Sequence, residues 1–129
     1  MADHFGEHIT IDGYGADKSL LNNKVFILGF LKDITIALGM KILKGPEIVW
    51  TSGNDKKDPG GWSGFVVIEE SHISIHTFPE KRFLSADVYT CKNDMDVKEV
   101  EAIFRQKFGI EEVEVNFIKR GLKYSHYGN

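Results

Sequence analysis

Ile9 and Ile11 alternate with Thr10 and Asp12 between His8 and Tyr14, and that two-residue period marks a strand with one buried face. Gly13-Tyr14-Gly15 ends it. Leu20, Val25, Leu28, Leu31, Ile34 and Leu38 then recur mostly three or four residues apart, predicting an amphipathic helix from about Ser19 to Leu38, with Gly39 placed for a left-handed stop. A second strand is expected within Lys41 to Trp50, and Thr51 to Gly61, rich in Ser, Gly, Asn, Asp, Lys and Pro, reads as a loop. Three apolar or β-rich runs follow: Gly64 to Ile68, His72 to Phe78 and Leu84 to Cys91. So few residues (Glu69, Glu70, Ser71) part the first two that a hairpin is the natural connection, and Pro79-Glu80-Lys81-Arg82 supplies the next turn. Asp96 and Glu99 have capping-box spacing ahead of Val97, Val100, Ile103, Phe104 and Phe108, a second helix closed by Gly109. Val113, Val115 and Phe117 alternate with Glu112, Glu114 and Asn116 as a last strand. The pattern predicts an α+β fold, a two-layer α/β sandwich with helices on one face of a mainly antiparallel sheet.

Length and composition narrow the class without naming a chemistry. At 129 residues, 42% hydrophobic and 27% charged, the chain fits one domain, 1–129, large enough for its own core; a homo-oligomer would add margin. Sixteen Lys and Arg against 19 Asp and Glu give a net charge of −3, and the basic runs are pairs such as Lys56-Lys57 and Lys119-Arg120. That balance excludes nucleic acid as the expected partner, because backbone binding needs clustered cations. A single cysteine, Cys91, cannot form an internal disulfide and stands in no metal-ligand spacing, so no metal is expected and a reducing compartment suits the chain. The N-terminus lacks a basic and apolar signal, and no apolar run approaches the ~18 residues of a membrane span. A cytoplasmic protein with no membrane partner is expected.

The candidate chemistry gathers in Glu69-Glu70-Ser71-His72-Ile73-Ser74-Ile75-His76-Thr77-Phe78-Pro79-Glu80, which puts two serines, two histidines and three carboxylates around one predicted hairpin. On residue type alone these are ordinary turn residues and the polar face of a strand. A Ser/His/acid hydrolase is the first enzymatic thought, but there is no GxSxG elbow and no strand-to-helix turn after Ser71. Cys91 shares the parity of Ser85, Asp87 and Tyr89, a polar setting for a residue that is more often a small buried hydrophobe.

The run ESHISIHTFPE followed by ADVYTC resembles the pyruvoyl-dependent S-adenosylmethionine decarboxylases of bacteria and archaea, whose motif is close to ESHxxIHTWPE and then DxxTCG. The matching positions are Glu70-Ser71-His72, Ile75-His76-Thr77, Pro79-Glu80, Asp87, Thr90-Cys91 and, upstream, Ser63-Gly64. The resemblance implies that the Ser71 hydroxyl attacks the Glu70 carbonyl, that an N-to-O acyl shift gives an ester, and that β-elimination releases residues 1–70. Hydrolysis then leaves a pyruvoyl group at position 71 as a self-derived cofactor on chain 71–129. By the same likeness His76 assists processing and Ser63 positions or stabilises the ester. The pyruvoyl ketone takes a small-molecule substrate as a Schiff base, Cys91 returns the proton after carbon dioxide leaves, and Glu80 binds the ribose hydroxyls. The product serves polyamine synthesis. In a straight strand Ser71 and His76 have opposite parity and stand roughly 16 Å apart. Their cooperation therefore needs a bend, a contact across the sheet or a second subunit, and the family's answer is a homodimer with sites at the subunit interface.

Three positions depart from the family pattern. Lys57 stands where an aromatic ring usually stacks on adenine, Lys92 replaces the glycine after the cysteine, and Phe78 replaces the tryptophan of WPE. Trp62 or Trp50 is the available substitute ring. The loss at 57 also admits a pyruvoyl-dependent arginine or ornithine decarboxylase on the same scaffold, whereas Glu80 favours adenosylmethionine. A non-processing binding or regulatory homologue is the reading of another class; it has no need of Ser71, His76 and Cys91 together.

Overall fold

The computed structural model describes residues 4–54 and 59–128. Six strands form one antiparallel sheet: β1 (Gly6–Tyr14), β2 (Ile42–Thr51), β3 (Gly61–Ile68), β4 (Ser71–Phe78), β5 (Phe83–Thr90) and β6 (Glu112–Arg120), in spatial order β2-β3-β4-β5-β1-β6. Helices α1 (Lys18–Leu21), α2 (Lys24–Ala37) and α3 (Val97–Phe108) join β1 to β2 and β5 to β6. The α+β two-layer expectation holds.

Sheet and helices meet because the alternation read from sequence places one row of each strand inward. Ile9 and Ile11 of β1, Val66 and Ile68 of β3, Ile73 and Ile75 of β4, and Leu84 and Val88 of β5 are all buried. They pack against Ile27, Phe30, Leu31 and Ile34 of α2 and Val100, Phe104 and Phe108 of α3. Phe30 meets the rings of Phe104 and Phe108 edge-on, each at 4.9 Å between centroids. Each such side chain stabilises the fold by about 1.5–3 kcal/mol through burial. Glycine keeps one contact possible near the candidate site, since a Cβ at Gly61 would lie 1.7 Å from the Thr77 carbonyl oxygen.

The predicted helix 19–38 is in fact two helices. Asn23 caps α2 by accepting from the Phe26 amide at 3.0 Å, and Asp17 caps α1 through the Ser19 and Leu20 amides. Apolar spacing continues across the break, so periodicity alone could not reveal it; the Asn side chain competes with the helical ladder there. Asp96 caps α3 at the Glu99 amide, and Gly39 and Gly109 take the left-handed conformation just past α2 and α3, as expected. Pro46 interrupts β2, which tolerates it because β2 is an edge strand whose pairing shifts register between Ile42 and Glu47.

Candidate active site

Glu69 and Glu70 form the two-residue turn between β3 and β4, with Ile68 paired to Ser71. Glu70 sits at φ 59°, a left-handed conformation that costs a residue with a Cβ roughly 1 kcal/mol or more. Ser71 opens β4 with the buried parity of Ile73, Ile75 and Thr77, and it is itself buried. Extending the β4–β5 register brings Cys91, just beyond β5, beside this turn. The backbone N–H of Cys91 donates to Ser71 Oγ at 3.3 Å. Glu70, Ser71, Cys91, Lys41, Lys92 and Gly39 line one cavity of about 240 Å³, open to solvent beside the Glu70–Ser71 bond.

Ser63 and His76 meet elsewhere. They face each other across β3 and β4, and Ser63 Oγ lies 2.8 Å from His76 Nδ1. Both point to the sheet face that carries no helix, as their parity requires. Glu80 follows in the 3-10 turn Pro79–Lys81 and pairs with Lys18 Nζ at 3.1 Å, both side chains exposed. The candidate residues thus form two groups along β4. Glu70, Ser71 and Cys91 lie at its start, while Ser63, His76 and Glu80 lie toward its end, separated by about 16 Å or more of extended strand.

Trp62 shares the parity of Gly64, Val66 and Ile68 and packs against the core, 5.1 Å from the Trp50 ring. It therefore lies on the helix side of the sheet, not with Ser63 and His76. Its Nε1 is buried without an acceptor among the described residues. Lys57 lies outside the described residues.

Sequence reasoning missed a cluster on the open face. His8 Nε2 and His72 Nε2 both approach Asp87 Oδ2, at 2.6 and 3.2 Å, and Ser74 Oγ donates to Oδ1 of the same carboxylate. Burial pushes the Asp87 pKa up, but the hydrogen bonds from Ser74, His8 and His72 outweigh it and hold the carboxyl below its usual range. The three ligand atoms lie within 4.8 Å of one another, close enough to consider a metal. Arg120 Nη1 donates to His8 Nδ1 at 2.8 Å, however, and an arginine cannot accept. His8 must then carry its proton on Nε2, facing Asp87, which makes this arrangement a hydrogen-bond network and not a coordination shell. The shared parity of Asp87 with Tyr89, and of His72 with Ser74, was the available signal; the adjacency of β1 to β5 was not readable.

Comparison with known proteins identifies the family. The profile of the S-adenosylmethionine decarboxylase family matches residues 7–121. An S-adenosylmethionine decarboxylase proenzyme of Clostridium botulinum (strain Hall) is 34% identical over 116 residues, covering 90% of this chain and 94% of that protein. One from Clostridium kluyveri (strain ATCC 8527) is 33% identical over 120 residues, covering 93% and 90%. The crystal structure of the adenosylmethionine decarboxylase from Aquifex aeolicus superposes with a TM-score of 0.74 at 24% identity over 93% of each chain, a likeness of fold. A match to the family profile over residues 7–121 and relatives 34% and 33% identical along nearly the whole length place the chain in the S-adenosylmethionine decarboxylase family.

Proposed function

We propose that the chain is a proenzyme that cuts itself between Glu70 and Ser71 and then decarboxylates S-adenosylmethionine, a carbon–carbon lyase serving polyamine synthesis. The observation that carries this is the Cys91 N–H directed at Ser71 Oγ inside the cavity flanking the Glu70–Ser71 bond. An amide donor there stabilises charge that develops on the serine oxygen as its proton leaves. Ser71 Oγ attacks the Glu70 carbonyl carbon, the Ser71 amide nitrogen leaves as the amine, and the resulting ester loses the Glu70 carboxylate by β-elimination. Water then replaces the nitrogen, released as ammonia, and a pyruvoyl group remains at position 71. Serine fits this group because one hydroxyl must serve as nucleophile and then as leaving group. Once formed, the pyruvoyl group supplies an electron sink for the pair left when carbon dioxide departs.

The remaining residues act on substrate and protons. Cys91 is the proton donor to the decarboxylated carbon, a role supported by its lining the same cavity as Ser71. Glu80 accepts from the ribose hydroxyls. Its resting partner Lys18 yields easily, since an exposed ion pair contributes only about 0–1 kcal/mol. The names of the relatives favour adenosylmethionine over arginine or ornithine.

The separation of the two residue groups supports a homodimer. Ser71 and Cys91, at the end of one protomer's sheet, would meet the partner's Ser63 and His76 on its open sheet face, together with the partner's Glu80. That face exposes Tyr14, Val49, Phe65, Val67 and Ile118, apolar surface that the helices do not cover. Among the described residues no helix is long and apolar enough to cross a membrane. With its single thiol, the enzyme is read as working in the reducing cytoplasm.

The test is intact mass followed by carbon dioxide release. Two fragments, 1–70 and a pyruvoyl-capped 71–129, are expected, with turnover of S-adenosylmethionine and none of arginine or ornithine. A single uncut species after prolonged incubation overturns the reading.

A further inference from the structure

Position 92 is occupied by a lysine where the family pattern has glycine, and the fold uses its side chain. Lys92 Nζ donates to the carbonyls of Gly39 at 3.0 Å and Leu38 at 3.4 Å, just past the end of α2. These are carbonyls that a helix end leaves without intrahelical partners, and a cation there also opposes the negative end of the helix dipole. The backbone of the same residue is held too, its N–H donating to Thr90 Oγ1 at 3.0 Å. Cys91 lies between these attachments, and its own N–H reaches Ser71 Oγ.

The other flank of the scissile turn is tied to the same stretch of chain. The Glu69 N–H donates to the Lys41 carbonyl at 3.0 Å, two residues beyond Gly39. Residues 38–41 therefore hold the turn from one side through Glu69 and the Cys91 segment from the other through Lys92, and all of them but Leu38 line the cavity beside the Glu70–Ser71 bond. No strand ladder replaces this tether, because β5 ends at Thr90 and the chain bends at Cys91.

Resting on the reading above, we propose that Lys92 is a positioning residue for both self-cleavage and turnover. By fastening the segment after β5 to the end of α2, it keeps the Cys91 amide on the Ser71 hydroxyl before the cut and the Cys91 thiol beside residue 71 afterwards. Its ammonium is engaged by the Gly39 and Leu38 carbonyls, and it acts through Cys91.

The experiment compares Lys92→Met, which keeps the stem and loses the donor, with Lys92→Arg, which can still reach two carbonyls. Lys92→Met is expected to lengthen the half-time of cutting about tenfold and, in the fraction already cut, to lower kcat by about the same factor at unchanged KM, on the scale of one charge-assisted hydrogen bond. Lys92→Arg is expected to restore both to within about twofold. Melting temperatures of the uncut chains are read alongside. Cutting and kcat equal to the parent in a folded Lys92→Met overturn the inference, as does a deficit that arginine does not repair. Should Lys92→Met not fold, Lys92→Leu, which also lacks a donor, serves in its place and must show the same slow cutting. A parent chain that never cuts defeats the proposed function itself, whereas a parent that cuts and turns over beside an equally active Lys92→Met defeats only the role of Lys92.

Discussion

Ser71, Cys91 and His76 are separable by experiment because their places differ. Ser71→Ala removes the hydroxyl at the proposed cleavage bond and is expected to leave one uncut chain, read by intact mass. Normal cutting in that variant would put the cleavage elsewhere. Cys91→Ala keeps the backbone N–H that reaches Ser71 Oγ, so cutting is expected to persist. Decarboxylation, deprived of the proposed proton donor, is expected to slow on the order of 100-fold, and an unchanged kcat would remove Cys91 from that role. Sequence supplied these candidates as a motif with roles. It marked Lys92 only as a departure from the family's glycine, because a lysine next to a cysteine carries no sign of the helix end it caps.

Within the elements, buried contacts set the cost of change. Phe104 of α3 is fully buried against Phe30 of α2, and Phe104→Ala is expected to destabilise the chain by about 3–5 kcal/mol in denaturant unfolding. Thr77 is a polar case. Its Oγ1 donates to the Leu21 carbonyl at 2.8 Å and accepts from the Trp62 N–H at 3.1 Å, joining α1, β4 and β3. Thr77→Val keeps the shape and leaves both partners unpaired, an expected loss of about 1–3 kcal/mol. The strands and α3 were legible because each alternation or cap is local. The break at Asn23 was not, because a side-chain cap and a continued apolar stripe compete and the sequence does not say which prevails.

For the whole molecule, two carboxylates couple stability to acid. Glu7 is buried, which works to raise its pKa. The Met95 amide, His4 and the Asp94 amide lower it by more, at 2.8, 2.9 and 3.1 Å. Asp87 is held low in the same way by Ser74, His8 and His72. A carboxyl with a depressed folded pKa contributes stability that is present above its unfolded value, near 4, and is lost as pH falls through the folded value. Melting temperature is therefore expected to fall below about pH 4, less steeply in Glu7→Gln and Asp87→Asn; equal slopes in parent and variants would remove these two groups as the cause. The proposed dimer has its own test. Ser71→Ala and His76→Ala chains, each uncut or slowly cut alone, are expected to form a mixed species in which the His76→Ala chain is cut at a restored rate. No restoration on co-refolding would confine the site to one chain.

The sequence by itself determined the two-layer fold and, through its motif, the Glu70–Ser71 pair proposed for cleavage and the residue types around it, because period, caps and motif spacing are written in neighbouring positions. Tertiary structure alone decided which of those residues meet. The β3–β4 register joined Ser63 to His76, the bend after β5 set Cys91 on Ser71, and the length of β4 kept the two groups apart. Placement of β1 between β5 and β6 assembled His8, Asp87 and Arg120 from opposite ends of the chain. Strand order depends on how helices and sheet close around a shared core, and no local pattern of residues encodes it.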